Sequence, residues 1–160
     1  MDLSHWLLFA LIMGLGLVTG AVIFEARVVV PLWFEDVPES IVDFHNPPMR
    51  VNSGGRFWIA VTPLVGIIAG TNAYFAYNSL SVNDAREWWL FSSALASGTI
   101  VITFLYFIPI LISLSTAAQM HQRKLVRRVK IWRALNWLRS LSFIVAWLAA
   151  VQALYLGAVK

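Results

Sequence analysis

Apolar residues in this chain gather into four long runs, at 6–30, 57–79, 88–115 and 135–158, while polar residues crowd into the connections between them. Each run is at least as long as the roughly 20 residues a helix needs to cross a hydrocarbon core about 30 Å thick. Barrel strands would instead alternate apolar and polar positions over about ten residues, and these runs do not. The pattern predicts an all-α integral membrane four-helix bundle, with residues 1–160 forming a single transmembrane domain. The first run stops at Pro31, which lacks the N–H that continuation needs. Pro109 falls inside the third, where bilayer helices tolerate proline if neighbours satisfy the freed carbonyl. A long loop joins the first and second spans and holds Pro31, Pro38, Pro47, Pro48, Gly54 and Gly55. Its length suits either a binding loop or an interfacial connector. The connection at 80–87 is a short turn.

Inside the runs, small and polar residues recur at helical spacing. In the third, Ser92, Ala96, Thr99, Thr103, Tyr106, Ser113, Ala117 and His121 share one arc of about 100°. In the fourth, Trp132, Asn136, Arg139, Phe143 and Trp147 form a second stripe. Both stripes are expected to face the bundle interior. Gly16-x-x-x-Gly20 in the first span and Gly66-x-x-x-Gly70 in the second let helix backbones approach closely, either within the bundle or between chains.

Composition sharpens this picture. Hydrophobic residues make up 59% of the chain and charged residues only 12%, with a mean hydropathy of +0.73. Soluble domains average roughly 45–50% apolar residues, so the lipid bilayer is the expected solvent. The absence of cysteine excludes disulfides, thiolate metal sites and cysteine nucleophiles. The net charge of +4 comes from basic residues gathered on one side of the membrane, which points to topology rather than to nucleic acid. Of 12 Lys and Arg residues, that side collects Arg27, Arg50, Arg56, Arg123, Lys124, Arg127, Arg128, Lys130, Arg133 and Arg139, leaving Arg86 and Lys160 opposite. Positively charged loops stay in the cytoplasm, so both termini are expected outside, with the chain in the cell (inner) membrane. Trp6, Trp88 and Trp89 are expected at the outer interface and Trp33, Trp58, Trp132 and Trp137 at the inner one, with Trp147 deep in the fourth span. With Asp2, no basic residue before the first run, and Glu25 near its end, that run is expected to remain as a span rather than be removed as a signal.

Ionisable groups within a span are costly and normally paired, which singles out Glu25 and Arg139. Their depths match, so an ion pair is feasible. Such a pair would serve either as a clamp between the first and fourth helices or as part of a site. Glu25, His45 and His121 could together supply a two-histidine, one-carboxylate metal set, but no local ligand motif is present and interfacial histidines are the favoured reading. No organic cofactor is evident. The basic run at 123–133 suits anionic headgroups or a protein partner.

The motifs Phe24-Glu25-x-Arg27-Val28-Val29-Val30-Pro31-x-Trp33, Phe57-Trp58 with Pro63, Thr103-x-x-Tyr106-x-x-Pro109 and Trp132-x-x-x-Asn136-x-x-Arg139 follow one another over nearly the whole chain. In this order they resemble small bacterial membrane proteins grouped with the anthrone oxygenase-like domain of unknown function. The resemblance implies a four-helix bundle and a hydrophobic, aromatic small-molecule substrate. Fungal relatives often carry Pro-x-Asn after the third-span threonine, whereas here Ile110 and Leu111 follow Pro109. If the chemistry is retained, Glu25 or His121 would take a proton from a phenolic or anthrone-like substrate, and oxygen would react with the resulting carbanion. Asn136 and Arg139 would stabilise the oxyanion, with Thr103, Tyr106, Trp132 and Trp147 holding the flat substrate.

Two functions therefore follow from the sequence. One is a membrane-embedded oxidoreductase or oxygenase. The other is a non-catalytic subunit or assembly factor of a larger membrane complex, docking on membrane protein partners or on a second copy through its glycine faces and basic face. They differ in one structural expectation. The enzyme needs Glu25, His121, Asn136 and Arg139 converging on an apolar pocket, whereas the subunit needs Glu25 and Arg139 bonded to each other.

Overall fold

The computed structural model describes residues 3–34, 55–79, 83–115 and 122–158. They form four helical rods that pass up, down, up and down. The first rod is α1 (Leu3–Phe24), a π-helical turn (Glu25–Val29) and α2 (Val30–Trp33). The second is α3 (Gly55–Asn78). The third is α4 (Asp84–Ile102), a second π-helical turn (Thr103–Phe107) and α5 (Ile108–Ser115). The fourth is a single helix, α6 (Gln122–Ala158), of 37 residues. All four are long and apolar enough to cross a membrane, at Leu3–Trp33, Arg56–Asn78, Asp84–Leu114 and Arg123–Gly157. The fourth rod begins well before the expected 135–158, because Leu125, Val129 and Trp132 continue its apolar stripe through the basic run.

Neighbours around the bundle run first, second, third, fourth and back to first. Large apolar side chains such as Met13, Ile67, Leu105 and Leu148 face outward, while Ser92, Ser93, Asn136 and Ser140 are buried. That inversion is what a lipid surround demands, since apolar side chains lose nothing by facing acyl chains and backbone polar groups are satisfied within the helices.

Both π turns share one setting, a proline that follows, although Pro63 sits within the regular helix α3 without such a turn. Each opens six residues before a proline, at Glu25 before Pro31 and at Thr103 before Pro109. In a straight α-helix the proline ring would meet the carbonyl four residues back, that of Arg27 or Leu105. Widening one turn moves that carbonyl aside, and the hydrogen bond closes over five residues instead, from Val30 N–H to the Glu25 carbonyl and from Ile108 N–H to the Thr103 carbonyl. The extra residue rotates everything beyond it. On the third rod Ser92, Ala96, Thr99 and Thr103 face inward as expected, but past the π turn Phe107 is the buried residue and Tyr106 is only half-buried.

Close packing uses glycine at two places. A Cβ on Gly16 would stand 3.3 Å from the Trp147 indole nitrogen, and one on Gly66 would stand 3.3 Å from Ile100. These two glycines seat the first helix on the fourth and the second on the third. Gly20 and Gly70 have open space beside them and serve no packing within the bundle.

At the end nearest the termini, Asn83 caps the third rod by accepting a hydrogen bond from Arg86 N–H at 2.9 Å. Arg86 in turn donates to the carbonyls of Ala76 and Tyr77 at 2.8 and 2.7 Å, closing the C-terminal end of α3. Trp89 was expected at the lipid interface. It is instead buried, donating at 2.7 Å to Asn72, whose own amide donates to the Ile68 carbonyl. One indole thus ties the second span to the third. Trp33 and Trp132 are likewise buried, Trp33 beneath the extended fourth helix and Trp132, on that helix, against Phe34 and Phe107.

Candidate functional site

The buried side chains fall into two apolar clusters separated by a polar layer. The larger includes Leu11, Leu15, Val22, Val65, Ala96 and Ala146; the smaller lies at the basic end and includes Val30, Trp33, Phe107, Leu125 and Trp132. Between them lie Glu25, Thr103, Asn136, Arg139 and Ser140.

Glu25 and Arg139 are the centre of this layer. Arg139 donates from a terminal guanidinium nitrogen to Glu25 Oε2 at 3.1 Å, and each side chain is 12% exposed. The Trp58 side chain lies close to the same carboxylate. The Arg139 guanidinium carbon also lies 4.9 Å from the centroid of the Phe107 ring, within reach of a cation–π attraction. Glu25 belongs to the first span, Trp58 to the second, Phe107 to the third and Arg139 to the fourth. One ion pair therefore gathers all four helices.

The depth of this knot explains how two charges are tolerated. At about 1.5 Å per residue, Glu25 stands about 33 Å from Leu3, Thr103 about 28 Å from Asp84 and Arg139 about 28 Å from Ala158. A hydrocarbon core is about 30 Å thick, so the pair lies at its far boundary, where the long arginine stem reaches toward headgroups.

The polar residues around the pair are largely committed to the helices themselves. Thr103 Oγ1 donates to the Thr99 carbonyl at 2.8 Å, and Ser140 Oγ donates to the Asn136 carbonyl at 2.9 Å. Such back-bonding satisfies a hydroxyl within its own helix and bends that helix slightly. The Trp132 indole donates to the Phe107 carbonyl at 3.4 Å and stands edge-on to Phe34 and Phe107, with centroids at 5.7 and 6.2 Å. Of four buried side-chain atoms without a hydrogen-bond partner among the described residues, two lie in this layer, Asn136 Oδ1 and Arg139 Nε, one turn apart on the fourth helix. Asn136 itself is 1% exposed.

Of the residues singled out by sequence, the structure brings together Glu25 and Arg139, and it places Trp132 with Phe107, the neighbour of Tyr106, in the smaller cluster. Tyr106 is half-buried, with its ring 5.3 Å from that of Phe107. Trp147 is elsewhere. It packs on Gly16 and the larger cluster, about 22 Å along the helix from Trp132, so the two indoles do not bracket one flat ligand. His121 and His45 lie outside the described residues, and among the described residues no three His, Cys, Asp or Glu side chains group as metal ligands. Sequence reasoning missed Trp58 and Phe107 as members of the knot. Trp58 was read as an interfacial marker, and Phe107 became inward-facing only through the π turn that precedes Pro109. No protein-family model, curated protein or solved structure matches this chain.

Proposed function

We propose that this chain is a non-catalytic subunit or assembly component of a larger complex in the cell (inner) membrane, with its basic end in the cytoplasm and both termini outside. The observation that carries this reading is the Glu25–Arg139 pair. The carboxylate that would act as a base is bonded to a guanidinium, with the Trp58 side chain close by, and the guanidinium that would steady an oxyanion is engaged by that carboxylate and a phenyl ring. Charges neutralised in this way fix helices in place. Gly20 and Gly70, with open space beside them, supply faces on the first and second spans where another helix can approach. The test is purification in mild detergent with quantitative mass spectrometry of accompanying polypeptides. Partners in a fixed ratio should be lost in Gly20→Leu or Gly70→Leu and retained in Glu25→Gln. A chain that isolates alone and consumes oxygen with a hydrophobic phenol would overturn the reading.

One observation favours the enzymatic alternative that the anthrone oxygenase-like resemblance suggests. Asn136 Oδ1 and Arg139 Nε offer an acceptor and a donor, buried beside Glu25, that a phenolic hydroxyl or ring ketone would satisfy. Glu25 would then take a proton from the ring methylene. Oxygen would add to the carbanion, one oxygen atom becoming the new carbonyl and the other leaving as water. Oxygen uptake that disappears in Glu25→Gln with the fold intact would identify this case.

A further inference from the structure

The part of the fourth helix that extends beyond the bilayer core is built as two faces. Leu125, Val129 and Trp132 are buried against Val30, Trp33, Phe34 and Leu114. On the opposite side Arg123, Arg127 and Lys130 follow at helical spacing, and with Val126 they line a groove of about 470 Å³. Positions i, i+4 and i+7 lie one above another on a helix, so three cationic heads are presented along one line. No Asp or Glu occurs anywhere from Gln122 to Ala158, so this helix supplies no internal counter-charge.

Depth specifies what this line meets. Counted from Ala158 at about 1.5 Å per residue, Lys130 stands at about 42 Å, Arg127 at about 46 Å and Arg123 at about 52 Å. A bilayer with its headgroups is about 40–45 Å thick, and a helix tilt of about 20° lowers each figure slightly. Measured from the same core edge as the Glu25–Arg139 pair, the far headgroup layer spans about 30–38 Å, so Lys130 and Arg127 stand just beyond it with side chains long enough to reach back to phosphate level, and Arg123 stands further out. Val126 gives the groove an apolar floor of the kind that an acyl-glycerol backbone would cover.

We propose that this groove is a binding site for the headgroup of an anionic phospholipid, with Arg127 and Lys130 on the phosphate and Arg123 closing over it. Bidentate guanidinium contact suits a phosphate better than a diffuse ammonium field does. The site orients the bundle by anchoring the end of its longest helix to the leaflet, independently of whether the bundle docks on a partner.

The test uses purified full-length protein in nanodiscs of phosphatidylcholine containing a minor fraction of phosphatidylglycerol, with retained lipids counted by native mass spectrometry. Wild type should retain phosphatidylglycerol selectively. The triple variant R123Q/R127Q/K130Q should lose it by about fivefold per residue, on the order of 100-fold in all. The control variant K124Q/R128Q/R133Q removes the same charge from the two flanks of the helix, and it should lose far less. Equal loss in both variants would overturn the site in favour of a diffuse field. Two further results would also overturn it. One is displacement of the lipid by millimolar inorganic phosphate, which would mean a free-anion site. The other is a large gain in retention on neutralising Glu35, Asp36, Glu39 and Asp43, which would mean that the chain's own acidic segment occupies the groove. All six substituted basic residues are exposed, so both triple variants should keep the wild-type unfolding transition.

Discussion

Removing Arg139 should harm the bundle more than removing Glu25, and the difference can be worked from the site. In Arg139→Gln the Glu25 carboxylate keeps Trp58 close by but loses its counter-charge, with its side chain only 12% exposed. Stranding one member of a buried pair costs about 3–5 kcal/mol, and the interfacial depth places this case near 3 kcal/mol. Glu25→Gln is milder. The amide still offers oxygen to Arg139, and the arginine keeps Phe107 and can reach toward headgroups, so the loss is about 1 kcal/mol. The double variant strands no charge and should sit near 2 kcal/mol, which makes the coupling about 2 kcal/mol in magnitude. Reversible unfolding in mixed micelles, followed by circular dichroism, measures all three. Additivity within about 0.5 kcal/mol would refute the reasoning, because residues without mutual contact behave in that way.

Three further outcomes follow from other parts of the fold. Asn72→Ala and Trp89→Phe should each cost about 1–2 kcal/mol, and the two losses should not add, since both remove the same buried 2.7 Å bond; the same unfolding assay decides this. Gly16→Leu should cost about 1–3 kcal/mol by displacing Trp147, whereas Gly20→Leu should leave monomer stability unchanged. Because the chain has no cysteine, single substitutions report sidedness directly. On intact cells an impermeant maleimide should label Gly157→Cys and not Arg127→Cys, and the reverse labelling would invert the proposed orientation.

Much of the architecture was readable because the bilayer imposes a simple code. Four apolar runs became four rods, and the inward stripes at Ser92–Thr103 and Trp132–Phe143 hold in the structure, since 3.6-residue periodicity survives any surround. The readings that failed have physical causes. Trp33, Trp89 and Trp132 were assigned to the lipid interface from their positions near span ends, but a tryptophan there can equally be covered by a longer neighbouring helix. For Trp33 the sequence carries that information in the apolar positions Leu125 and Val129, hidden within a basic run, whereas Trp89, at the opposite end, is drawn inward by its bond to Asn72. Tyr106 and Phe107 exchanged roles through one inserted π residue. The prolines six residues downstream of Glu25 and of Thr103 were visible, but Pro109 was read as merely tolerated and Pro31 as a helix stop, whereas the helix continues through Pro31 to Trp33. The Glu25–Arg139 pair was legible from matched depth; its ties to Trp58 and Phe107 were not, because they depend on how the second and third rods are rotated.

The claim that matters most is that the Glu25 knot holds helices rather than a substrate. Native mass spectrometry of wild type and Glu25→Gln, released from the same membranes and paired with organic extraction of each, tests it most directly. The account predicts no bound small molecule whose occupancy depends on Glu25. A stoichiometric aromatic compound present in wild type and absent from a folded Glu25→Gln would contradict it and place the carboxylate in a binding site.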